Sequence, residues 1–214
     1  LGFLLAIPLL ELMWFWEKKR DVRNFSSITY TSKKRRLFVD VLTFGGLLKR
    51  DMFMNKTLFS TKHFVDEVFV GRFVIPEGDE KYFPSDMRLL QTRCTNEHSG
   101  PNGLMCRMIS GFIDFLATDS PWYLRANDDT YINPVGMDDY LDDLEIFINP
   151  YQDVVIKGFI SMDAEGYPYF AGGAGILFSR AAVRLLLDSD LIDIMSNSVF
   201  SLDDTAISTG AMRI

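Results

Sequence analysis

The apolar positions of the chain fall into short β-rich runs, separated by polar turns and by segments with helical spacing. Residues 37–44 are rich in β-branched and aromatic side chains and end at Gly45 and Gly46, which predicts a first strand. Residues 122–126 predict a short strand that leads directly into a polar cluster. The same signals predict further strands within residues 64–75, 87–92, 154–160 and 167–178.

Three segments have the spacing or the start signals of helices. Apolar residues recur at every third and fourth position between residues 104 and 116, which predicts a helix with one buried face. Asn133 and Pro134 are typical of the N-cap and first residue of a second helix. Ser179 is an N-cap for a third, over residues 180–187. Strands that alternate with helices predict an α/β fold with a mixed, mostly parallel sheet and helices on both faces.

The helix that begins at Pro134 separates its apolar and acidic residues. One face carries Met137, Leu141, Leu144 and Ile148. Its acids fall mostly on the other face: Asp138, Asp139, Asp142, Asp143 and Glu145. We expect these acids to be solvated, and we expect the basic run at residues 33–36 to be a solvated edge.

Composition narrows the class of protein. The 214 residues are 48% hydrophobic and 24% charged, which excludes disordered and collagen-like proteins and suffices for one α/β domain. Acidic residues outnumber Lys and Arg by 29 to 22, a net charge of −7. We therefore expect no nucleic-acid partner, since such binding needs a basic surface. An acidic protein that binds phosphates is expected to use a metal ion.

Residues 1–16 form an apolar run with a single charged residue. A transmembrane helix needs about 20 apolar residues, so the run predicts the end of an N-terminal signal anchor, with two tryptophans in the headgroup region. A signal-peptide core and a buried helix are the alternatives. Basic residues within 17–20 oppose a lumenal domain, because positive charge favours the cytosolic side. Residues 17–36 are then a polar stem, and residues 37–214 the folded domain.

The strongest chemical signal is the polar cluster at residues 127–130, which follows the strand predicted at 122–126. Ligands of open α/β sheets bind beyond the carboxyl ends of the strands. The adjacent carboxylates of Asp128 and Asp129 need a positive partner there. A hard divalent cation would supply it and would also bridge the diphosphate of a nucleotide. The alternative is a plain turn, because Asn and Asp are frequent turn residues.

Two other segments contain residues suited to ligand binding or proton transfer. Gly172 and Gly173 lie in a run of small residues, where a sugar or phosphate can approach the backbone closely. Asp203 and Asp204 lie at a predicted helix start, where one could cap the helix and the other could act as a general base. Capping alone is the alternative for this second pair.

The two cysteines and the absence of several known motifs restrict which other sites the chain can contain. Cys94 and Cys106 are the two cysteines of the chain, twelve positions apart. They could form a disulfide in an oxidising compartment or remain as two buried thiols. The sequence contains two histidines and has no Walker loop, GxGxxG fingerprint or Ser-His-Asp arrangement.

Four motifs, taken in order along the chain, resemble the fringe-like family of metal-dependent β-1,3-glycosyltransferases. Residues 92–99 (TRCTNEHS) and 106–108 (CRM) are similar to its Asn-Cys-x-x-Glu-His-Ser and Ser-Cys-Lys-Met elements. Residues 122–132 (WYLRANDDTYI) resemble its Trp-Phe/Tyr-x-x-x-Asp-Asp-Asp-x-Tyr-Val strand and metal motif. Residues 172–179 match its Gly-Gly-Ala-Gly-x-x-x-Ser turn, and residues 202–205 (LDDT) resemble its Pro-Asp-Asp or Glu-Asp element.

The resemblance implies a GT-A fold, which is a Rossmann-like nucleotide-sugar domain, in a single-pass type II protein of the Golgi or ER membrane with a lumenal catalytic domain. It implies a UDP-sugar donor, a glycan or glycoprotein acceptor, and Mn²⁺ as cofactor. Position by position, Asp129 would ligate the metal, and Asp128 would support both metal and nucleotide. Asn127 would lie on the ribose and uracil side, and Gly172 and Gly173 would line the donor sugar.

The resemblance also implies an inverting, single-displacement reaction that makes a β-1,3 linkage. Asp204, with Asp203 beside it, would be the base that deprotonates the acceptor hydroxyl. Cys94 and Cys106 would form a disulfide. The family has one more metal ligand, a histidine downstream of the acidic pair, which we expect beyond Ile214.

Asn127 departs from the family pattern, which usually has aspartate at this position. The change removes one negative charge and could weaken nucleotide binding without abolishing metal binding through Asp129. It supports an alternative function, a catalytically inactive module that binds a glycan or a protein. The retained Asp128, Asp129 and Asp204 favour an enzyme. A nucleotide-sugar hydrolase or another metal-dependent phosphotransfer enzyme of similar fold is the remaining alternative, separable by whether an acceptor speeds donor turnover.

Overall fold

A computed structural model describes residues 35–97, 102–162 and 165–188, together with positions 207, 208 and 211. The strands are β1 (Leu37–Leu42), β2 (Phe69–Ile75), β3 (Leu89–Gln91), β4 (Trp122–Asn127), β5 (Ile156–Gly158), β6 (Ile160–Met162), β7 (Pro168–Phe170) and β8 (Ile176–Ser179). The helices are α1 (Leu48–Thr57), α2 (Lys62–Val65), α3 (Leu104–Leu116), α4 (Pro134–Glu145) and α5 (Arg180–Asp188). Short 3₁₀ turns cover Gly45–Leu47, Glu80–Tyr82 and Gly172–Ala174.

Six of the described strands form one sheet in the order β3-β2-β1-β4-β8-β5. The first four are parallel to one another, and β8 runs antiparallel between β4 and β5. Strands β6 and β7 form a separate antiparallel pair. The predicted α/β class with a mixed, mostly parallel sheet is therefore confirmed.

Helices cover both faces of this sheet, because successive side chains of a strand point to opposite sides. On β1, Leu37, Val39 and Val41 belong to one buried cluster. That cluster also contains side chains of α1, α2 and α4: Met54, Phe64 and Leu141. The other face of β1 contributes Phe38 and Leu42, which are clustered with the apolar sides of α3 and α5. The hydrophobic core thus has two layers, with the sheet between them.

The capping residues predicted from the sequence are confirmed at two helices. The side chain of Asn133 accepts a hydrogen bond of 3.3 Å from the backbone N–H of Gly136. The hydroxyl of Ser179 accepts one of 3.1 Å from the N–H of Ala182. Helix α3 spans the whole predicted range, β1 and β3 lie within the predicted strands, and β4 extends one residue beyond the predicted 122–126.

One helix is not predicted, and two local predictions are wrong. Helix α1 gives no clear sequence signal, because its buried residues are few and include a charged one, Asp51. Part of the β-rich stretch at 64–75 is helix: α2 turns Phe64 into the core, and Glu67 in a left-handed conformation separates it from β2. The single strand expected at 154–160 is two short strands that belong to different sheets.

Arg36 is not solvated as expected, and Asp138 and Glu145 of α4 are partly buried, whereas Asp139, Asp142 and Asp143 are exposed as predicted. The Arg36 side chain is 5% exposed, and its guanidinium lies 2.7–2.8 Å from carboxylate oxygens of Asp138, Asp142 and Glu145. Glu145 also accepts a 2.8 Å hydrogen bond from the indole N–H of Trp122. These acids face Arg36 because that residue directly precedes β1, where α4 packs on the sheet. They tie α4 to the start of the central strand.

Within the described residues, no helix is both long enough and apolar enough to cross a membrane. The anchor predicted at residues 1–16 lies outside the described residues, as does the stem up to residue 34.

Candidate functional site

The candidate site lies at the edge of the sheet where β1 and β4 end. These two strands are parallel neighbours, and their last paired residues are Leu42 and Asn127. The loops that follow both strands therefore start side by side. One leads to the Gly45–Leu47 turn and α1, and the other contains the predicted acidic pair. This is the edge at which open α/β sheets bind ligands.

The acidic pair lies beside a basic residue of α1. Nη1 of Arg50 is 3.2 Å from Oδ2 of Asp128 and 4.0 Å from Oδ2 of Asp129. The Asp128 side chain is 9% exposed, whereas that of Asp129 is 63% exposed. One carboxylate is thus held against the protein, and the other is open to solvent at the rim.

A third carboxyl group, that of Asp51, is buried behind this pair. Its Oδ2 accepts a 2.8 Å hydrogen bond from the hydroxyl of Thr43, and its Oδ1 has no hydrogen-bond partner among the described residues. Burial raises the pKa of Asp51 to about 7, with the Thr43 hydrogen bond and Arg50 opposing the rise and the charge of Asp128 adding to it. Asp51 is therefore partly protonated at neutral pH.

Nothing in the sequence singles out Asp51 as a site residue. Helix α1 has no clear apolar stripe, so neither the helix nor its buried face could be predicted. The loop between β1 and α1 is also held by α3, on the other face of the sheet. Nη1 of Arg107 on α3 donates a 2.5 Å hydrogen bond to the carbonyl of Thr43 in this loop. Asp51 becomes part of the site through this tertiary packing.

Replacing Asp51 with asparagine is expected to change how stability depends on pH. An acid whose folded pKa of about 7 exceeds its unfolded value near 3.8 contributes stability at low pH, and that contribution is lost as pH rises through 7. The variant lacks this loss. Relative to wild type, the unfolding free energy of Asp51→Asn should therefore increase by about 2–3 kcal/mol between pH 5 and 8.

Urea unfolding of both proteins in EDTA at several pH values measures this difference. The exposed Asp143→Asn substitution is the matched control and should show no such trend. A difference between Asp51→Asn and wild type that is constant from pH 5 to 8 would contradict the assignment.

The glycine-rich segment meets the acidic loop at the same edge. Strand β8 is antiparallel to β4, and its first residue, Ile176, pairs with Arg125 near the end of β4. The Gly172–Ala174 turn that precedes β8 therefore lies beside residues 127–130. Nη1 of Arg125 donates a 2.7 Å hydrogen bond to the carbonyl of Gly172, and the Thr130 hydroxyl donates one of 3.1 Å to the carbonyl of Gly173. The structure thus brings together two predicted site segments.

The chemistry of the acidic loop fits a small divalent cation that also binds a diphosphate. Mg²⁺ and similar hard ions are commonly held by one or two carboxylates, with substrate phosphates and water as the other ligands. Asp128 and Asp129 offer such a pair, and Arg50 neutralises it in their present arrangement. The described residues contain no group of three or more potential metal ligands. Oxygens of a bound nucleotide and water are suited to complete a ligand set of this kind.

Of the remaining predicted site residues, the structure describes Asn127 but not Asp203 and Asp204. Asn127 ends β4, and its backbone N–H donates a 2.9 Å hydrogen bond to the Thr130 hydroxyl. Asp203 and Asp204 lie outside the described residues, so their roles stay predictions.

The disulfide between Cys94 and Cys106 is present, with the two Cα atoms 5.7 Å apart. It joins the segment after β3 to the first turn of α3. Cys94 also lines a polar cleft of about 370 Å³, together with Pro76, Glu77, Asp79, Arg93, Thr95 and Asn96. The cleft lies at the carboxyl ends of β2 and β3 and therefore on the same edge of the sheet as the acidic loop.

Comparison with known proteins agrees with this architecture. A family model described as Fringe-like matches residues 61–209, which is more than half of the chain. Two curated relatives named "Beta-1,3-N-acetylglucosaminyltransferase manic fringe", from Homo sapiens and Pan troglodytes, are each 44% identical to the chain over 64 residues. The aligned stretch covers 29% of this chain and 20% of each relative.

The family match spans the acidic loop, the glycine turn, both cysteines and the Asp203–Asp204 pair. The mixed, mostly parallel six-stranded sheet with helices on both faces is consistent with a GT-A-like fold. On these grounds the chain belongs to the fringe-like family.

Proposed function

We propose that the protein is an inverting, Mn²⁺-dependent glycosyltransferase. It moves a sugar from a UDP-sugar to a hydroxyl group of a glycan or glycoprotein and forms a β-1,3 linkage. N-acetylglucosamine is the first sugar to test, because the two manic fringe relatives are named as transferases of that sugar. The chain aligns with only a fifth of the length of those relatives, so the identities of the donor sugar and of the acceptor are part of the proposal.

One observation carries this proposal, the order of features along the carboxyl edge of the sheet. The polar cleft lies at β2 and β3, Arg50 and the acidic pair lie at β1 and β4, and the glycine turn precedes β8. Because the strand order is β3-β2-β1-β4-β8, these features follow one another across the edge. In a UDP-sugar, the nucleoside, the diphosphate and the sugar are linked in this same order. The arrangement therefore suits a UDP-sugar that spans the edge.

The roles of the described residues follow from their charge and exposure. Asp128 and Asp129 would hold the Mn²⁺ ion, which when bound would offset the negative charge of the departing diphosphate. Arg50 is placed to donate hydrogen bonds to diphosphate oxygens once it is released from Asp128. The backbone of Gly172 and Gly173 would lie against the donor sugar. The ribose and uracil would extend from Asn127 towards the polar cleft.

Asp204 is the proposed base that removes the proton of the acceptor hydroxyl. General-base catalysis typically contributes about 10²- to 10⁴-fold. Asp204→Asn should therefore reduce sugar transfer by about 100-fold or more and leave UDP affinity unchanged. Asp203→Asn is the matched neighbour, and we expect a smaller loss from it.

A turnover assay on the full chain tests the proposal. It measures UDP release from UDP-N-acetylglucosamine with Mn²⁺, with and without a panel of glycosides that offer a free 3-hydroxyl. The proposal predicts that a glycoside accelerates release and gains the sugar. Release that no acceptor accelerates would indicate a nucleotide-sugar hydrolase and overturn the transferase.

The proposed location is the lumen of the Golgi or ER, with membrane attachment through the apolar N-terminal run. The Cys94–Cys106 disulfide supports this location, because structural disulfides persist in oxidising compartments. Sensitivity of this bond to reductant in the folded protein can be checked by mass spectrometry after alkylation.

A second candidate function is a catalytically inactive module that binds a glycan or a protein partner. Asn127 favours it, because an aspartate of the family motif is replaced. The same turnover assay separates the two candidates. The inactive module would be favoured if the wild-type protein binds UDP tightly without turnover and if Asn127→Asp restores turnover.

A further inference from the structure

Two side chains of the β4 segment, Arg125 and Thr130, bind consecutive carbonyl groups of the glycine turn. Arg125 donates to Gly172 at 2.7 Å, and Thr130 donates to Gly173 at 3.1 Å. Both side chains are buried, Arg125 being 1% exposed and Thr130 6%. The acidic pair lies between these two residues in the sequence. The turn and the acidic loop are therefore joined on both sides of Asp128 and Asp129.

The Thr130 hydroxyl makes both of its hydrogen bonds within this junction. It accepts from the backbone N–H of Asn127 at 2.9 Å while it donates to the carbonyl of Gly173. One hydroxyl thus closes the acidic loop and attaches it to the turn. Serine could make the same two bonds, whereas valine, which has the same shape as threonine, could make neither.

The turn also fits closely against β4. A Cβ atom added at Gly172 would lie 2.6 Å from Nη1 of Arg125, so the absence of a side chain permits this contact. Gly175 has φ of +85°, and its Cβ position is 3.5 Å from Cγ2 of Thr130. In contrast, no described atom lies within 4 Å of the Cβ position of Gly173. Within the described part of the chain, the turn is held from one side, and the space beside Gly173 is open.

We propose that Arg125 and Thr130 are positioning residues that lock the glycine turn to the acidic loop, and so fix the donor-sugar position relative to the diphosphate position. The proposal rests on the proposed function for the identity of the ligand. The lock itself, a fixed spacing between turn and loop, is a property of the ligand-free protein.

Isosteric and conservative variants at Thr130 and Arg125 test the lock in binding. Calorimetry with Mn²⁺ compares UDP with UDP-N-acetylglucosamine. A net hydrogen bond is equivalent to about 3- to 10-fold in affinity. Thr130→Val and Arg125→Met should therefore weaken UDP-sugar binding by about 3- to 10-fold more than UDP binding. Thr130→Ser and Arg125→Lys should largely retain the wild-type ratio. Equal loss for both ligands, or no loss for either, would overturn the proposal.

A second measurement needs no ligand. Hydrogen exchange of the ligand-free protein reports on the turn, whose Ala174 and Gly175 amides donate to Ala171 and Gly172. The lock predicts exchange in this turn that is about 3- to 10-fold faster in Thr130→Val than in Thr130→Ser. Unchanged exchange would overturn the lock. If wild type binds no UDP but the exchange result holds, the proposed function fails and the lock stands.

Discussion

Replacing Arg72 with methionine is expected to lower the free energy of unfolding by about 3–5 kcal/mol. Arg72 lies on β2 and binds both carboxylate oxygens of Asp40 on β1, at 2.7 and 3.2 Å. Its guanidinium also binds Asp114 of α3 and lies 4.5 Å from the ring centroid of Phe38. Asp40 is fully buried. Removal of its partner would leave a carboxylate in the core with the hydroxyl of Tyr123 as its remaining donor among the described residues.

The size of this effect follows from the desolvation of Asp40. Burial raises the pKa of Asp40 even though Arg72 and the Tyr123 hydroxyl act against the rise. Without Arg72, the carboxyl group must be protonated or remain charged without compensation, and both outcomes destabilise the fold near neutral pH.

Urea unfolding at pH 7 measures the loss in Arg72→Met. Arg88→Met is the matched control, because that side chain is 58% exposed and its contact with Glu67 is 3.8 Å long. Exposed ion pairs contribute about 0–1 kcal/mol, so the control should be close to wild type. Equal losses in the two variants would contradict the account of the buried network.

Replacing Asp129 with alanine is expected to reduce sugar transfer by roughly 100-fold or more. Asp129 is the more exposed acid of the pair, and its contact with Arg50 is 4.0 Å long. Its loss should therefore hardly affect folding, while it removes one of the two described side chains proposed to hold Mn²⁺. The expected effect is on the activity and on its dependence on Mn²⁺ concentration.

Initial rates over a series of Mn²⁺ concentrations check this prediction, with the thermal midpoint as the test of folding. Asp143→Ala on α4 is the control, since Asp143 is an exposed acid away from the acidic loop. Near-normal transfer by Asp129→Ala would remove this residue from the site. Equal losses in both variants would point to a general effect of charge.

Elements with a strong local pattern could be predicted from the sequence. Helix α3 has a continuous apolar stripe that packs under the sheet, and its bounds are as predicted. The acidic loop and the glycine turn could each be located from their residues. Their contact could not, since it depends on the antiparallel pairing of β8 with β4.

The errors arise where tertiary packing outweighs local preference. Arg36 reads as part of a basic surface run, but α4 places three carboxylates around it. Phe64 and its neighbours favour a strand, yet Phe64 packs in a helix against Phe59 and Phe69. Asp51 gives no signal because only the fold places it behind Asp128. Local sequence patterns therefore fail to predict charged side chains that are buried by segments far away along the chain.

A UDP titration followed by the thermal midpoint tests most directly whether the acidic loop forms a Mn²⁺-dependent UDP site. UDP is added to the full chain with Mn²⁺ and, in parallel, with EDTA. A ligand at 100 times its Kd stabilises the folded state by about 2.7 kcal/mol, which is a shift of several degrees for a domain of this size. We predict a rise with UDP that requires Mn²⁺ and that Asp129→Ala abolishes. A folded wild-type protein whose midpoint does not change with UDP at millimolar Mn²⁺ would contradict the account.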